Sequence, residues 1–368
     1  LGGELVSLSR PLIMGILNIT PDSFYPGSRT TEEEQIAERL RKMMNEGADI
    51  IDIGAYSSRP NADDISPDEE MKRLSKGLDI IRKLYPTARV SVDTFRADIA
   101  ARCVREYGVQ MINDISGGEL DSQMFETIAE LKVAYILMHM KGTPQTMMQQ
   151  IRYEHIIPEM LYYFSARIAR LESLGVNDII IDPGFGFSKS VDNNYLLMNR
   201  LDEFTRIGYP LLVGISRKSM IYKYFGYTPE ESLNGTTTLN TLALLGGADI
   251  LRVHDVKEAV EAVKIVSKLI VALLLYTLYK MMKESGTISI FTGVLAFVGV
   301  WIVVTQILDM RLIGSIMDKF MSVGLLILVI LFQDEIKRFL VQLGSHKRWR
   351  FFFNFFLTLK NIAIILYL

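Results

Sequence analysis

Between residues 12 and 254 the chain repeats one pattern eight times: a short apolar run closing on a polar or charged residue, followed by a helix-length amphipathic segment. The runs end at Asn18, at Ser58 and Arg59 beyond Ile53, at Asp93, at Asn113 and Asp114, and at His139. The last three end at Asp182, at Ser216, Arg217 and Lys218, and at Arg252 and His254. Apolar strands alternating with amphipathic helices specify a parallel sheet, and eight such units close into a (β/α)8 TIM barrel. In that architecture the carboxyl ends of all eight strands converge on one mouth, where barrels of this kind keep their chemistry. A single Asp or Asn there is ordinary turn and helix-cap chemistry. Three carboxylates, two Asn, two His, three Arg and a Lys together are not. That mixture suits a site that holds a polar heterocycle at one end and a polyanion at the other.

At 368 residues the chain exceeds one ordinary domain, and 49% of it is hydrophobic, which is high for a soluble protein. The excess is local. Residues 273–368 carry 10 Lys+Arg against 5 Asp+Glu, which leaves 30 against 37 for residues 1–272. An acidic globular part is joined to an apolar, basic tail, and no nucleic-acid partner is expected. The one cysteine, Cys103, excludes an internal disulfide framework and fits a reducing compartment. No signal peptide precedes the first strand, so the barrel is expected to stay in the cytoplasm.

By charge, the mouth divides into two groups. Asp93, Asn113 and Asp182 offer acceptors and an amide along the edge of an aminopyrimidinone-like ring. Arg59, Arg252, His254 and Asn18 suit phosphate oxygens, which guanidinium forks bind bidentately. Lys218 beside Arg217 serves either group. The wording is specific too: Gly15 to Phe24 reads GILNITPDSF, Ile180 to Phe187 reads IIDPGFGF with Lys189 beyond it, Gly214 to Ser219 reads GISRKS, and Arg252 to Val256 reads RVHDV. This ordered set closely resembles dihydropteroate synthase, over about residues 5–268.

The resemblance implies that Asp93, Asn113, Asp182 and Lys218 hold a pterin ring. It gives the diphosphate to Asn18, Arg59, Arg252 and His254, with Mg²⁺ bound through Asn18 and the phosphate oxygens. Ser216, Arg217 and Lys218 would face p-aminobenzoate, Phe187 would line its pocket, and Met138 and Met140 would line the pterin pocket or pack. The implied reaction joins 6-hydroxymethyl-7,8-dihydropterin diphosphate to p-aminobenzoate, giving 7,8-dihydropteroate and diphosphate in folate biosynthesis. Sulfonamide action and a homodimer through barrel helices are also implied. Segments 20–29 and 56–66 read as active-site lids. The second departs from the common GESTRP form and reads Ala55-Tyr56-Ser57-Ser58-Arg59-Pro60, so Ser58 replaces a Thr and Tyr56 a Glu. Two other readings share these residues. A pterin-dependent methyltransferase would keep the ring pocket but has no need of Arg59, Arg252 and His254. A non-catalytic pterin-binding membrane scaffold would have no reason to retain a leaving-group site.

Past Asp255 the last barrel helix, 256–268, continues without a breaker into 269–279, 11 uncharged residues, about half of a bilayer span. Residues 288–308 are 21 without a charge, and residues 320–332 are 13. The tail resembles the N-terminal membrane segment of a membrane-bound bacterial diadenylate cyclase over about residues 270–350, through Val329 to Phe339 and Leu343-Gly344. The cyclase's Asp-Gly-Ala and Arg-His-Arg motifs occur nowhere in the chain, and cyclase activity is not expected. The expected organisation is a barrel over 1–268, an all-α transmembrane segment over 269–350 and an apolar end over 351–368. Crossings by the second and third runs keep Lys280, Lys283 and the basic stretch from Lys337 to Arg350 on the barrel's side. That places a cytoplasmic barrel on a bacterial inner membrane.

Overall fold

The computed structural model describes residues 5–20, 32–57, 64–284, 288–303, 305, 333 and 337. Its first unit ends at Val266 and its second begins at Ser267. In the first, eight parallel strands are paired in the order β6-β5-β4-β3-β2-β1-β8-β7. They are β1 Leu12–Asn18, β2 Ile50–Gly54, β3 Arg89–Asp93, β4 Met111–Asp114, β5 Ala134–Met138, β6 Ile179–Asp182, β7 Leu212–Val213 and β8 Ile250–Val253. One parallel bridge, Ile181 to Leu211, joins β6 to β7 and closes the sheet on itself. The expected barrel is present.

Helices α1 Glu32–Glu46, α2 Pro67–Leu84, α3 Ala97–Tyr107, α4 Met124–Leu131, α5 Ile156–Ser173, α6 Val191–Asn199, α7 Ser219–Phe225 and α8 Leu233–Leu245 lie between the strands. Local chemistry sets their limits and their buried faces. Ser66 Oγ accepts from the Glu69 amide at the start of α2, Pro67 takes the first turn, and Arg82 and Lys83 sit at its negative end. In α1, Ile36, Leu40 and Met43 recur at helical spacing and are buried.

Strand side chains alternate between the two faces. On the inward face Leu12, Met14, Ile50, Met111, Ala134, Ile136, Ile180, Leu212 and Ile250 form one buried cluster. Two residues further along, on the same face, the strands present Asp52, Asn113, Asp182 and Arg252. Ser91, beside Asp52 in register, puts Asp93 on that face as well. The polar mouth is therefore the next layer above an apolar plug.

Helix α9, Val256–Glu284, is one helix through residues 269–279, as the lack of a breaker predicts. Helix α10 covers Ile288–Ile302. Among the described residues no helix is long and apolar enough to cross a membrane. The span expected over 288–308 is described as helix only through its first 15 residues, and the run at 320–332 lies outside the described residues.

Candidate active site at the carboxyl end of the barrel

Arg252 organises the mouth. From β8 its side chain crosses the interior, where Nε donates to Asp52 Oδ2 at 2.6 Å and Nη2 to Asp93 Oδ2 at 2.7 Å. Asn113 Nδ2 donates to the same Asp52 oxygen at 3.1 Å. Four strands thus contribute to one hydrogen-bonded group. Burial acts to lower the Arg252 pKa, but the two carboxylates outweigh it and hold the guanidinium above its ordinary range. Burial pushes Asp93 up to about 7 against the pull of Arg252, with Asp52 and Glu70 adding to the rise. Asp52 Oδ1 and Ser91 Oγ are buried and have no hydrogen-bond partner among the described residues. Two unmet polar atoms side by side in mid-strand leave spare hydrogen-bonding capacity directly beneath the mouth.

Arg252, expected on the phosphate side, is hydrogen-bonded to two of the carboxylates and so links the two groups. Two buried acids and a strand-borne Arg on one inward face must neutralise one another. Asp52 was not among the residues the sequence suggested, because it stands inside an apolar strand and not at its end. Its signal is parity: Asp52 sits two residues after the buried Ile50 and so faces inward.

Asp182 is buried, and its Oδ1 accepts from the Gly184 amide at 2.8 Å. Burial raises its pKa, with Lys218 opposing. Gly184 has φ +68°, and a Cβ there would stand 2.2 Å from the His139 carbonyl oxygen, so only glycine permits this turn. Lys218 Nζ donates to the Phe185 carbonyl and stands 4.6 Å from the centroid of the Phe187 ring. Burial pushes Lys218 down to about 8, with Asp182 opposing. Phe187 also packs on the buried Ile115, Met138, Met140 and Met147, so the two expected methionines back the Phe187 side of the pocket.

His254 Nδ1 lies 3.1 Å from Ser216 Oγ, which also accepts from the His254 amide at 3.1 Å. Burial, then Arg252, pushes His254 down to about 3, so its imidazole is neutral near pH 7. Arg217, at φ +55°, forms a bidentate pair with Asp255 at 3.0 and 2.6 Å. Asn18 is exposed at the end of β1. Its Oδ1 would lie 3.6 Å from a Cβ on Gly54, which would itself be 3.3 Å from Asp93 Cβ. The bare glycine lets Asn18 and Asp93 approach the end of β2 closely, where a Cβ would crowd Asp93.

Two expected strand ends are elsewhere. Asp114 points outward, where its carboxylate accepts from the Tyr135 hydroxyl, the Ser116 hydroxyl and amide, and the Gly118 amide. His139 faces away from the mouth, against Tyr163 and Phe164 and beside Lys189. Each follows an inward neighbour by one residue and is turned to the other face. Ser58 and Arg59 lie outside the described residues, as does most of segment 20–29.

The profile of the family described as "Pterin binding enzyme" matches residues 14–254. The dihydropteroate synthase of Escherichia coli (strain K12) is 40% identical over 266 residues, 72% of this chain and 93% of that protein. This chain belongs to the dihydropteroate synthase family. The Bacillus subtilis (strain 168) synthase is 37% identical over 263 residues, 71% of this chain and 89% of its own length. Among solved structures, the Yersinia pestis synthase with a sulfonamide drug complex superposes with a TM-score of 0.67 at 36% identity, covering 73% of this chain and 97% of that one. The Thermus thermophilus synthase in complex with 4-aminobenzoate gives 0.66 at 35% identity, covering 73% and 98%. Family members are transferases of folate synthesis, and the barrel carries the family's fold. Residues 258–336 match a second profile, described as "CdaA N-terminal transmembrane domain".

Proposed function

We propose that the barrel condenses 6-hydroxymethyl-7,8-dihydropterin diphosphate with p-aminobenzoate, releasing diphosphate and 7,8-dihydropteroate. The observation that carries this reading is Arg252 held between Asp52 and Asp93, beside the unpaired Asp52 Oδ1 and Ser91 Oγ. Asp93, Asn113, Asp182 and Lys218 hold the pterin ring, and Asp52 braces Asn113 and Arg252 from below. Arg252, His254, Asn18 and Arg59 receive the diphosphate, with Ser58 beside Arg59. Phe187, Ser216, Arg217 and Lys218 surround the arylamine.

In the reaction the bond from the pterin methylene carbon to the diphosphate oxygen breaks and carries its electron pair to the leaving group. The arylamine nitrogen forms a bond to that carbon and gives up a proton. No side chain need act as a nucleophile. Negative charge grows on the departing oxygen, so a guanidinium aimed there stabilises the transition state more than the ground state. Incoming diphosphate favours protonation of His254, which Ser216 holds in place. The Phe187 side excludes water from the electron-poor carbon.

Among the described residues no group of three or more His, Cys, Asp or Glu could hold a metal by itself. Mg²⁺ does not require one, since it keeps waters and binds through few protein oxygens together with substrate phosphates. A single exposed amide oxygen at the mouth, Asn18 Oδ1 at the end of β1, fits that mode. Asn18 would hold the ion, which when bound neutralises charge on the phosphate oxygens.

For the tail we propose a barrel domain ending near 268, helices over 269–350 that associate with the bacterial inner membrane, and a homodimer of barrels. The match over 258–336 and the uncharged run 288–308 support the membrane reading. The exposed, stacked pair Phe225 and Tyr227 supports a barrel contact.

The test is diphosphate release by the full chain given both substrates and Mg²⁺, with Arg252→Ala as control. Release coupled to dihydropteroate and lost in the control is expected; pterin binding without release would overturn the reading. Recovery of the full chain in the soluble fraction, with no flotation on anionic vesicles, would sink the membrane proposal.

A further inference from the structure

Lys189 is buried, only 3% exposed, in a position the mechanism above does not use. Its Nζ donates to three backbone carbonyls, Gly184 at 3.0 Å, Phe187 at 2.9 Å and His139 at 3.2 Å, and lies 3.0 Å from His139 Nδ1. Two of those carbonyls belong to the turn after β6 and one to the end of β5. A buried amine is costly unless it is fully partnered, and this one closes a four-acceptor cradle. No carboxylate takes part, so the cradle is not a plain ion pair.

The turn it holds reaches both halves of the site. At its start the Gly184 amide donates to Asp182 Oδ1 at 2.8 Å. In its middle the Phe185 carbonyl accepts from Lys218. At its end the Phe187 ring lies under the Lys218 ammonium. The Phe187 amide donates back to the Gly184 carbonyl at 3.1 Å, the same oxygen that Lys189 grips. Other anchors restrain the outer side: Gly186 N to Asn194 Oδ1 at 2.7 Å, and the Tyr153 hydroxyl to the Ser188 carbonyl at 3.0 Å. Lys189 with His139 is the inner anchor. Burial, and then Lys189, pushes His139 down to about 2 and keeps its ring neutral, and the Lys189 amine beside Nδ1 makes that nitrogen the acceptor, sharing three N–H groups with the carbonyls.

We propose that Lys189, seated on His139, is a positioning residue that sets the 183–188 turn, and thereby Phe187 and Lys218, for the arylamine substrate. This rests on the synthase reading above. On the pterin side Asp52, Asp93, Asn113 and Arg252 stand on β2, β3, β4 and β8 clear of the cradle, whereas Asp182 and Lys218 are bound by the turn's backbone; the Phe187 ring belongs to the turn itself. Loss of Lys189 therefore reaches both substrates but falls hardest on the arylamine, whose Phe187 and Lys218 contacts both depend on the turn, while most of the pterin-side group does not.

The experiment compares the full-length wild-type chain with Lys189→Met, which keeps length and apolar volume but donates nothing. Two quantities are read, the KM for each substrate and the deuterium exchange of the 184–188 amides. The expected result is roughly a tenfold or greater rise in the p-aminobenzoate KM, a clearly smaller rise in the pterin diphosphate KM, and faster exchange of the Phe187 amide. An unchanged arylamine KM, or an equal rise in both, overturns the proposal, as does wild-type exchange across the turn. If the wild type turns over nothing, the synthase reading fails while exchange still decides whether Lys189 holds the turn. Should Lys189→Met not fold, His139→Leu and His139→Asn replace it, since the Asn oxygen can stand in for Nδ1. A raised arylamine KM in the first, relieved in the second, upholds the proposal, and equal values in both overturn it.

Discussion

The two layers of the barrel interior lie on the same face, and on β2, β4, β6 and β8 they are two residues apart on one strand, yet they could hardly differ more. Below, Met14, Ile50, Met111, Ile136, Ile180, Leu212 and Ile250 pack as a continuous apolar plug. Above, Asp52, Asp93, Asn113, Asp182 and Arg252 form a charged layer with two buried polar atoms unmatched. Each layer makes the other workable. The plug supplies the stability that a buried cluster of acids does not, and burial within the upper layer shifts Asp93 and Lys218 toward neutrality. Stability and chemistry are separated by about 7 Å along a strand.

The sharpest way to break this contrast is Arg252→Ala. It removes the one cation between Asp52 and Asp93, and kcat/KM for dihydropteroate formation should fall by roughly a thousandfold or more. Diphosphate release read at fixed pH checks it, and an activity loss under tenfold would mean that Arg252 is only scaffolding. In the lower layer, Ile136→Ala should cost about 3 kcal/mol in urea unfolding while the KM values of the folded enzyme stay near wild type. A large KM change there would show that the plug is not separate from the site.

The pH dependence of stability tests the upper layer from another side. Asp93 has a folded pKa of about 7, above the ordinary value near ~4. Between those limits the folded state binds more protons than the unfolded state, so stability falls as pH rises from about 4 to 7. Asp93→Asn should flatten that part of the profile, and an unchanged slope in urea unfolding would contradict the shift. The smallest effect is expected from Ser216→Ala. It removes an acceptor for the His254 amide and a partner for its ring, worth about 1 kcal/mol. The loss in kcat/KM should be several-fold, with the pterin affinity little changed.

Much of this contrast is written in the chain. Eight apolar runs with polar ends state the barrel, and Asp93, Asn113, Asp182, Lys218 and Arg252 come together at the mouth as those ends suggest. What a list of endings leaves out is parity. His139 and Asp114 each stand one residue past an inward side chain and serve the outer layer, whereas Asp52 stands inside an apolar run and serves the site. Counting in steps of two from the plug residues sorts all three, but it requires knowing which residues form the plug, and that is settled by pairing between distant strands. The cradle of Lys189 was hidden for a related reason: three of its four partners are backbone carbonyls, and backbone leaves no mark in a sequence.

The barrel is a hoop with one thin weld. Strand β7 has only two residues, and a single bridge, Ile181 to Leu211, ties it to β6. A ring under thermal agitation yields first where its joint is weakest, and here the joint lies between Asp182 on β6 and Lys218 just beyond β7. A bound molecule gripped by both side chains would span the joint and act as a splint. Occupancy of the pocket then becomes a mechanical event as well as a chemical one, and the amide of Ile181, which donates to the Pro210 carbonyl at 2.9 Å across the gap, is its natural strain gauge.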